Sequence, residues 1–244
     1  MMLALFMNNI AKKQHFRQPV WHGRRKGHKL TNYRQHLLME MLPTLSLTIS
    51  KKTKGLQIND VFPSRPLEIW FEIGFGDGAH LAKQAILNPE VGIVGFEPFI
   101  NGVAALLSRI KKSNISNVRI FPDDARLALN YIPKSSISKI FILFSDPWPK
   151  RRHHRRRFIQ HDTVELLANI LVDGGKVVFA SDCKNYVRWT LEKLHNHCSF
   201  QWSAECLSDW AAQPADWIST RYEKKALQKG EKPVYLIFTR KPRT

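Results

Sequence analysis

The segment Glu72-Ile73-Gly74-Phe75-Gly76-Asp77-Gly78 could bind a nucleotide, because glycines stand at alternate positions where a strand-like run ends. Such glycines allow a tight turn, and they let a ligand approach the backbone at the start of the following helix. Gly74, Gly76 and Ala79 also satisfy the dinucleotide-binding pattern. The pattern alone leaves NAD and S-adenosylmethionine both open, and a plain strand, turn and helix is the simplest alternative.

Acidic side chains at the ends of three predicted strands favour a cationic nucleoside as the ligand. Glu97 ends the second strand, 23 residues after Gly74, where a carboxylate can accept hydrogen bonds from a ribose diol. Glu72 stands two residues before Gly74, so its charge would attract an ammonium group and repel a pyrophosphate. Asp124 follows the third strand and could accept from an adenine amino group, with Asp123 as its competitor. Together these acids favour S-adenosylmethionine over NAD.

A loop after the fourth predicted strand combines an acid, an indole and a run of cations. Ser145-Asp146-Pro147-Trp148-Pro149 leads directly into the basic run Lys150 to Arg157. Asp146 is expected at the ligand-binding edge of the sheet, where it could hold the edge of a base, and Trp148 offers a stacking face. The basic run would bind phosphates. The alternative is a proline-rich turn followed by solvated charges, and the combination favours nucleic-acid binding.

The net charge also favours a polyanionic partner. The 244-residue chain carries 38 Lys+Arg against 20 Asp+Glu, a formal net charge of +18. Residues 1–66 hold 12 basic and 2 acidic side chains, and residues 221–244 hold 8 and 2. Such clusters supply salt-sensitive affinity for phosphates, so we expect a nucleic acid. A membrane surface is a weaker candidate, since no strongly amphipathic helix adjoins the charges, and we predict no membrane association.

The cysteines and the remaining histidines indicate neither a disulfide framework nor a metal site. Cys183, Cys198 and Cys206 are few and lack CxxC spacing, which predicts a reducing, cytoplasmic location. His195 and His197 stand close to Cys198, but this spacing is not that of a zinc site. No apolar run approaches the ~20 residues needed to span a bilayer.

The positions of these residues require alternating strands and helices. Apolar runs predict seven strands, at 67–73, 91–96, 118–121, 140–144, 176–180, 200–207 and 234–240. Helical periodicity or end signals predict helices at 80–87, 100–112, 162–171 and 186–195, the third opened by an Asp162-Thr163-Val164-Glu165 capping box. A turn at Asp173-Gly174-Gly175 precedes the fifth strand. The sequence therefore predicts an α/β, Rossmann-like fold: a mostly parallel seven-stranded sheet with helices on both faces and an antiparallel terminal strand pair.

Two regions are expected along the chain. Residues 1–66 form a basic N-terminal extension that is partly flexible, with one helix predicted at 32–41. Residues 67–244 form a single domain that carries all of the candidate site residues. The sequence leaves a monomer and a homodimer both open.

With these motifs in place, the chain resembles the bacterial-type tRNA (guanine-N7-)-methyltransferases, a family of the class I S-adenosylmethionine-dependent superfamily. Glu72-Ile73-Gly74-Phe75-Gly76 resembles the cofactor loop of that family, and Phe144-Ser145-Asp146-Pro147-Trp148-Pro149-Lys150 with the following cations resembles its signature. Thr220-Arg221-Tyr222-Glu223 is similar to its TRFE/TKYE motif. Leu30-Thr31, Gln35 and Leu42-Pro43 resemble its N-terminal segment. The resemblance covers roughly residues 20–244.

The resemblance implies a function and a set of site residues. The activity would be methyl transfer from S-adenosylmethionine to N7 of a guanine in tRNA, the variable-loop guanine, which forms 7-methylguanosine. Asp146 would be catalytic. The cofactor would be bound by Glu72, Gly74, Gly76, Glu97, Asp124 and Asp146, and the tRNA by Lys150, Asp182, Thr220, Arg221, Tyr222 and Glu223. A nucleotide-dependent oxidoreductase, a non-catalytic RNA-binding protein and a DNA or protein amino-methyltransferase remain as alternatives.

Overall fold

A computed structural model describes residues 22–49, 58–214 and 217–244. The flexibility predicted for residues 1–66 falls partly on 1–21 and 50–57, which lie outside the described residues. The described residues contain seven strands: β1 (Glu68–Ile73), β2 (Val91–Phe96), β3 (Val118–Phe121), β4 (Ile137–Leu143), β5 (Leu171–Ser181), β6 (Phe200–Trp202) and β7 (Val234–Arg240). They form one sheet in the order β3-β2-β1-β4-β5-β7-β6.

The predicted sheet topology is confirmed. β1 pairs in parallel with β2 and β4, and the parallel ladder continues to β3 and β5. β7 runs antiparallel to both β5 and β6, which gives the antiparallel terminal pair. The middle strands are buried along nearly their whole length, as expected for parallel strands covered on both faces.

Helices cover both faces of the sheet. They are α1 (Asn32–Glu40), α2 (Leu42–Leu45), α3 (Ala79–Leu87), α4 (Ile100–Ser113), α5 (His161–Ile170), α6 (Lys184–His195), α7 (Ser208–Ala211) and α8 (Arg221–Gln228). Two apolar cores result, because alternate side chains of each strand point to opposite faces. Phe71 of β1 packs in one core with α5 and α6, and Trp70 packs in the other with α1, α3 and α4. None of the described helices combines the length and apolar character that a membrane crossing requires.

Three local predictions are wrong. Gln160 N donates to Thr163 Oγ1 over 2.9 Å at the start of α5, so the cap does not use the predicted Asp162 and Glu165. The predicted turn at 173–175 lies inside β5, where a bulge lets Gly174 adopt a φ of +78°. β6 ends at Trp202 rather than at residue 207, since only residues 200–202 pair with β7.

The helix predicted at 32–41 is present as α1, and it packs on the domain. Leu37, Leu38 and Leu42 are each about 1% exposed and belong to the same core as α3 and α4. Thr31 caps α1 by accepting from Arg34 N. The boundary at residue 66 stays a prediction.

Candidate functional site

A cavity of about 580 Å³ opens where β1, β2, β3 and β4 end. This volume lies within the range of about 300–1,000 Å³ that small-molecule sites occupy. The position is also the one at which open α/β sheets bind ligands. Its lining includes the predicted site residues Gly74, Gly76, Glu97, Asp123, Asp124, Asp146, Trp148 and Tyr222.

The glycine loop closes one wall of the cavity by close backbone packing. Gly74 and Gly76 have φ values of +75° and +58°, a region that side-chain-bearing residues rarely adopt. A Cβ added to Gly102 of α4 would lie 2.1 Å from Gly76 O, so the loop and the helix touch through backbone alone. These contacts explain the glycine spacing seen in the sequence.

Glu97 lies in the cavity wall and is fixed by the glycine loop. Its Oε2 accepts from Gly76 N over 2.8 Å, and its Oε1 accepts from Phe99 N over 2.9 Å. The side chain is 8% exposed. Burial raises the pKa of Glu97 to about 7 against the effect of these two hydrogen bonds, and the nearby charges of Asp146 and Glu72 act in the same direction. Each carboxylate oxygen keeps one further lone pair for a donor from a ligand.

Glu72 lies beneath the main cavity rather than in its wall. It lines a space of about 10 Å³, room for one water, together with Gly74 and Tyr222, which also line the large cavity. A hydrogen bond of 2.7 Å joins Glu72 Oε2 to His80 Nδ1, and His80 Nε2 lies 3.3 Å from Gln84 Nε2. His80 is a site residue that was not predicted; its position in the first turn of the helix after the glycines was the available signal.

Asp123 and Asp124 both reach the cavity, and each is paired with an arginine. Both oxygens of Asp124 accept from Arg126, Oδ1 from Nε over 3.0 Å and Oδ2 from Nη2 over 2.5 Å. Asp123 Oδ1 accepts from Arg25 Nη2 over 2.9 Å. An adenine amino group would therefore share either carboxylate with a guanidinium. The two acids were predicted from the sequence, but their arginine partners were not.

Asp146 and Trp148 stand together at the mouth of the cavity. The Asp146 side chain is open to the cavity, and partial burial by the surrounding walls raises its pKa. Trp148 adopts a φ of +42°, and such a strained backbone is held only where its surroundings impose it. Arg156 covers the indole at 5.0 Å, while the rings of His22 and His153 meet it edge-on.

An N-terminal segment, residues 22–28, forms a wall that the sequence analysis missed. His22, Gly23 and Arg24 line the cavity. Asn101 of α4 anchors the segment, since it accepts from Gly27 N and donates to His28 O, both over 2.8 Å. The sequence signals only that this segment is basic.

The Thr220 to Glu223 segment opens α8 beside the glycine loop. Thr220 and Glu223 form a reciprocal capping box, with Glu223 N donating to Thr220 Oγ1 over 3.0 Å. Arg221 and Tyr222 are exposed, and a Cβ on Gly76 would lie 3.1 Å from Tyr222 Cε2. The Tyr222 ring is partly covered where it meets the glycine loop, and this partial burial, followed by the charges of Glu97 and Asp146, raises the pKa of Tyr222.

Glu223 has no exposed surface, which contradicts the direct RNA contact expected for it. Its carboxylate accepts hydrogen bonds from Trp217 Nε1 and Gln213 Nε2 over 2.8 Å each, and from the hydroxyl of Tyr235 on β7. Burial alone would raise the pKa of Glu223, but these hydrogen bonds outweigh it and lower that pKa. Through these hydrogen bonds Glu223 holds the segment that carries Arg221 and Tyr222 against β7 and the residues around Trp217.

Lys150 and Asp182 lie outside the cavity lining, whereas Arg156 of the basic run belongs to it. Lys150 is exposed, Asp182 is half-buried directly after β5, and the basic run forms a short 3-10 helix, Arg151–Arg156. Arg157 is the exception in the run, because its side chain is fully buried. The prediction that the whole run binds phosphates is therefore wrong at Arg157.

Comparison with known proteins gives the same assignment as the motifs. A family model described as "Putative methyltransferase" matches residues 67–236. A tRNA (guanine-N(7)-)-methyltransferase from Rhodospirillum rubrum is 47% identical over 225 residues, which cover 91% of this chain and 88% of the relative. A tRNA (guanine-N(7)-)-methyltransferase from Ruegeria pomeroyi is 45% identical over 225 residues, which cover 90% of this chain and 94% of the relative. The chain belongs to the tRNA (guanine-N7-)-methyltransferase family.

Solved structures agree with this family on the fold. An antibiotic-related methyltransferase superposes with a TM-score of 0.54 at 18% identity, over 83% of this chain and 99% of that one. The 16S rRNA (adenine(1408)-N(1))-methyltransferase from Catenulisporales acidiphilia was solved with its cosubstrate SAM. It superposes with a TM-score of 0.53 at 17% identity, over 73% of this chain and 88% of that one. The predicted methyltransferase-like α/β fold is thus confirmed for this member of the tRNA (guanine-N7-)-methyltransferase family.

No group of side chains suited to hold a metal ion occurs within 22–49, 58–214 or 217–244.

Proposed function

We propose that this protein transfers a methyl group from S-adenosylmethionine to N7 of the variable-loop guanine of tRNA, forming 7-methylguanosine. The observation that carries the proposal is the cavity that joins Glu97 and Asp146 and opens beside the exposed basic run. The names of the relatives support tRNA and guanine N7 as the target. The cytoplasmic location stays a prediction, and a monomer and a homodimer both stay open.

The donor set of the cavity fits S-adenosylmethionine better than a dinucleotide. Asp77 Oδ1 accepts from Ala79 N over 3.2 Å, so a carboxylate already occupies the helix start that a pyrophosphate would need. Glu72 and Glu97 add negative charge on either side of the glycine loop. Glu97 would hold the ribose hydroxyls, Glu72 would attract the ammonium group by its charge from beneath the cavity, and Asp123 or Asp124 would accept a hydrogen bond from the adenine.

The chemistry asks the protein to align reactants rather than to remove a proton. Guanine N7 has a free in-plane lone pair, so a strong general base is unnecessary. When bound, S-adenosylmethionine supplies an activated methyl group. Asp146 would position the guanine and stabilise the positive charge that develops on the base. Trp148, which also lines the cavity, would stack against a base.

Cofactor affinity should rise with pH through about 7, the value to which the pKa of Glu97 is raised. An ionised carboxylate accepts hydrogen bonds from ribose hydroxyls better than a carboxylic acid does. Titration of S-adenosylhomocysteine across this range measures the effect, and Glu97→Gln should remove it. The folding stability of the unliganded protein changes in the opposite direction with pH. The raised pKa of Glu97 contributes folding stability that is fully present below the ordinary pKa of a glutamate and is lost as pH rises through about 7. Affinity that falls across this interval would contradict the assigned role.

The exposed cations of the basic loop should supply salt-sensitive tRNA affinity. Changing Lys150, Arg151 and Arg152 to glutamine should weaken tRNA binding. The slope of the logarithm of the binding constant against the logarithm of the salt concentration should become shallower by about 0.7–0.9 for each lost phosphate contact. The affinity for S-adenosylhomocysteine serves as the control and should stay unchanged, because none of these three residues lines the cavity. Equal losses of both ligands would show that the loop is structural.

Transfer of a labelled methyl group from S-adenosylmethionine to a tRNA transcript tests the proposed function. We expect incorporation into the complete transcript and none into one that lacks the variable-loop guanine. Incorporation into both would move the target elsewhere in the tRNA. Binding of tRNA without turnover would favour a non-catalytic RNA-binding protein, and thermal stabilisation by NAD alone would favour an oxidoreductase.

A further inference from the structure

Arg157 ends the basic run but differs from its neighbours in being inside the protein. Its side chain is fully buried, whereas Arg155 two residues earlier is exposed. Arg157 Nε donates to Pro147 O over 2.8 Å, and its Nη2 donates to Asn185 Oδ1 over 2.5 Å. The guanidinium therefore joins the loop that carries Asp146 to the start of α6.

Two aromatic side chains of helix α6 pack against this guanidinium. Its Cζ lies 5.1 Å from the ring centre of Tyr186 and 5.2 Å from that of Trp189, distances at which cations are attracted to aromatic rings. Tyr186 is fully buried, and its hydroxyl lies 3.4 Å from Ser145 Oγ. Trp189 Nε1 donates to Ile159 O over 2.7 Å, which fixes the second ring.

No acidic partner explains why a guanidinium is buried here. Among the ion pairs of the described residues, none includes Arg157, and its Nη1 atom is buried without a hydrogen-bond partner. A buried cation is costly unless its contacts compensate, so the bonds to Pro147 and Asn185 and the two rings must hold it. Burial accordingly lowers the pKa of Arg157. A phosphate of RNA could not reach this side chain.

The loop that Arg157 holds needs support from outside. Phe144 and Trp148 flank Asp146, and both have φ values in the left-handed region, +51° and +42°. Such residues persist only where neighbouring contacts fix them. Of the hydrogen bonds made to 145–149 by the described residues, the 2.8 Å bond from Arg157 to Pro147 O is the shortest.

We propose that Arg157 is a positioning residue that holds the Asp146-to-Trp148 turn against α6, and that it is not an RNA contact. This inference rests on the proposed function, in which Asp146 aligns the guanine. Misplacing a reacting group by about 1 Å can cost about 100-fold in rate. Loss of the Arg157 anchor should thus appear in kcat, while the tRNA-binding surface stays intact.

The test compares Arg157→Gln and Arg157→Lys with Arg155→Gln in methyl transfer to tRNA, each at several salt concentrations. Both Arg157 variants should lower kcat at least tenfold and keep the wild-type salt dependence of tRNA binding. Lysine should not rescue, because it cannot donate to Pro147 O and Asn185 with the geometry of a guanidinium. Arg155→Gln should instead raise KM for tRNA and flatten the salt dependence.

Two outcomes would overturn the inference. One is full activity of Arg157→Lys, which would mean that only the charge matters. The other is a flattened salt dependence in Arg157→Gln, the mark of a phosphate contact. If the Arg157 variants do not fold, Asn185→Ala decides: a kcat lowered at least threefold at constant KM supports the anchor, and an unchanged kcat refutes it. A wild-type enzyme without any activity on tRNA would instead refute the proposed function.

Discussion

Replacing Asp146 with alanine should slow methyl transfer at saturating tRNA and cofactor by at least about 100-fold, the usual effect of removing one preorganised charge-stabilising group. The reason is the position of its carboxylate, which is open to the cavity between the glycine loop and Trp148. Alanine leaves the developing positive charge of the base without a counter-charge. Single-turnover kinetics with labelled cofactor measure the loss of rate directly.

Two variants sharpen this expectation. Asp146→Asn keeps the shape and removes the charge, so it separates electrostatic stabilisation from hydrogen-bonded positioning. Asp162→Ala removes an exposed acid on α5, outside the cavity lining, and should leave the rate near wild type. A rate for Asp146→Ala within a few-fold of wild type, less than about 1.4 kcal/mol in barrier, would contradict the role of Asp146.

Glu223→Ala should lower the free energy of unfolding by about 3 kcal/mol, the scale set by leaving buried donors without an acceptor. The variant would strip the acceptor from Trp217 Nε1, Gln213 Nε2 and the hydroxyl of Tyr235. It would also break the capping box that starts α8. Urea unfolding followed by fluorescence measures the change in stability.

Glu231 provides the matched control, because it is an exposed glutamate in the segment that follows α8. Glu231→Ala should change the free energy of unfolding by no more than about 0.5 kcal/mol. If Glu223→Ala proved as stable as Glu231→Ala, the buried hydrogen-bond network would not fasten this segment.

The sheet could be predicted from the sequence because most of its strands are short runs made up mainly of apolar residues. The bounds of β2, β3 and β7 agree with prediction to the residue, and their order follows from alternating strands and helices. The carboxylates at the strand ends could be predicted for the same reason. β5 is present where a strand was predicted at 176–180, but its start at Leu171 could not be predicted, since its bulge puts Asp173 and Gly174 inside a strand although their residue types are typical of a turn.

Side-chain partners could not be predicted, because they depend on contacts between distant segments. Arg25 pairs with Asp123, and Asn101 anchors residues 22–28, yet neither pairing has a spacing rule in the sequence. Arg157 is the clearest case. Its type and its neighbours predict a phosphate contact, and only the packing of α6 shows that it is buried.

The most direct test of the central claim uses a tRNA in which the variable-loop guanine is replaced by 7-deazaguanine, so that a C–H group stands where N7 was. Wild-type enzyme should methylate the natural tRNA and bind the modified one with similar affinity, but transfer no label to it. Label appearing in the 7-deazaguanine tRNA at a comparable rate would show that N7 is not the atom that is methylated.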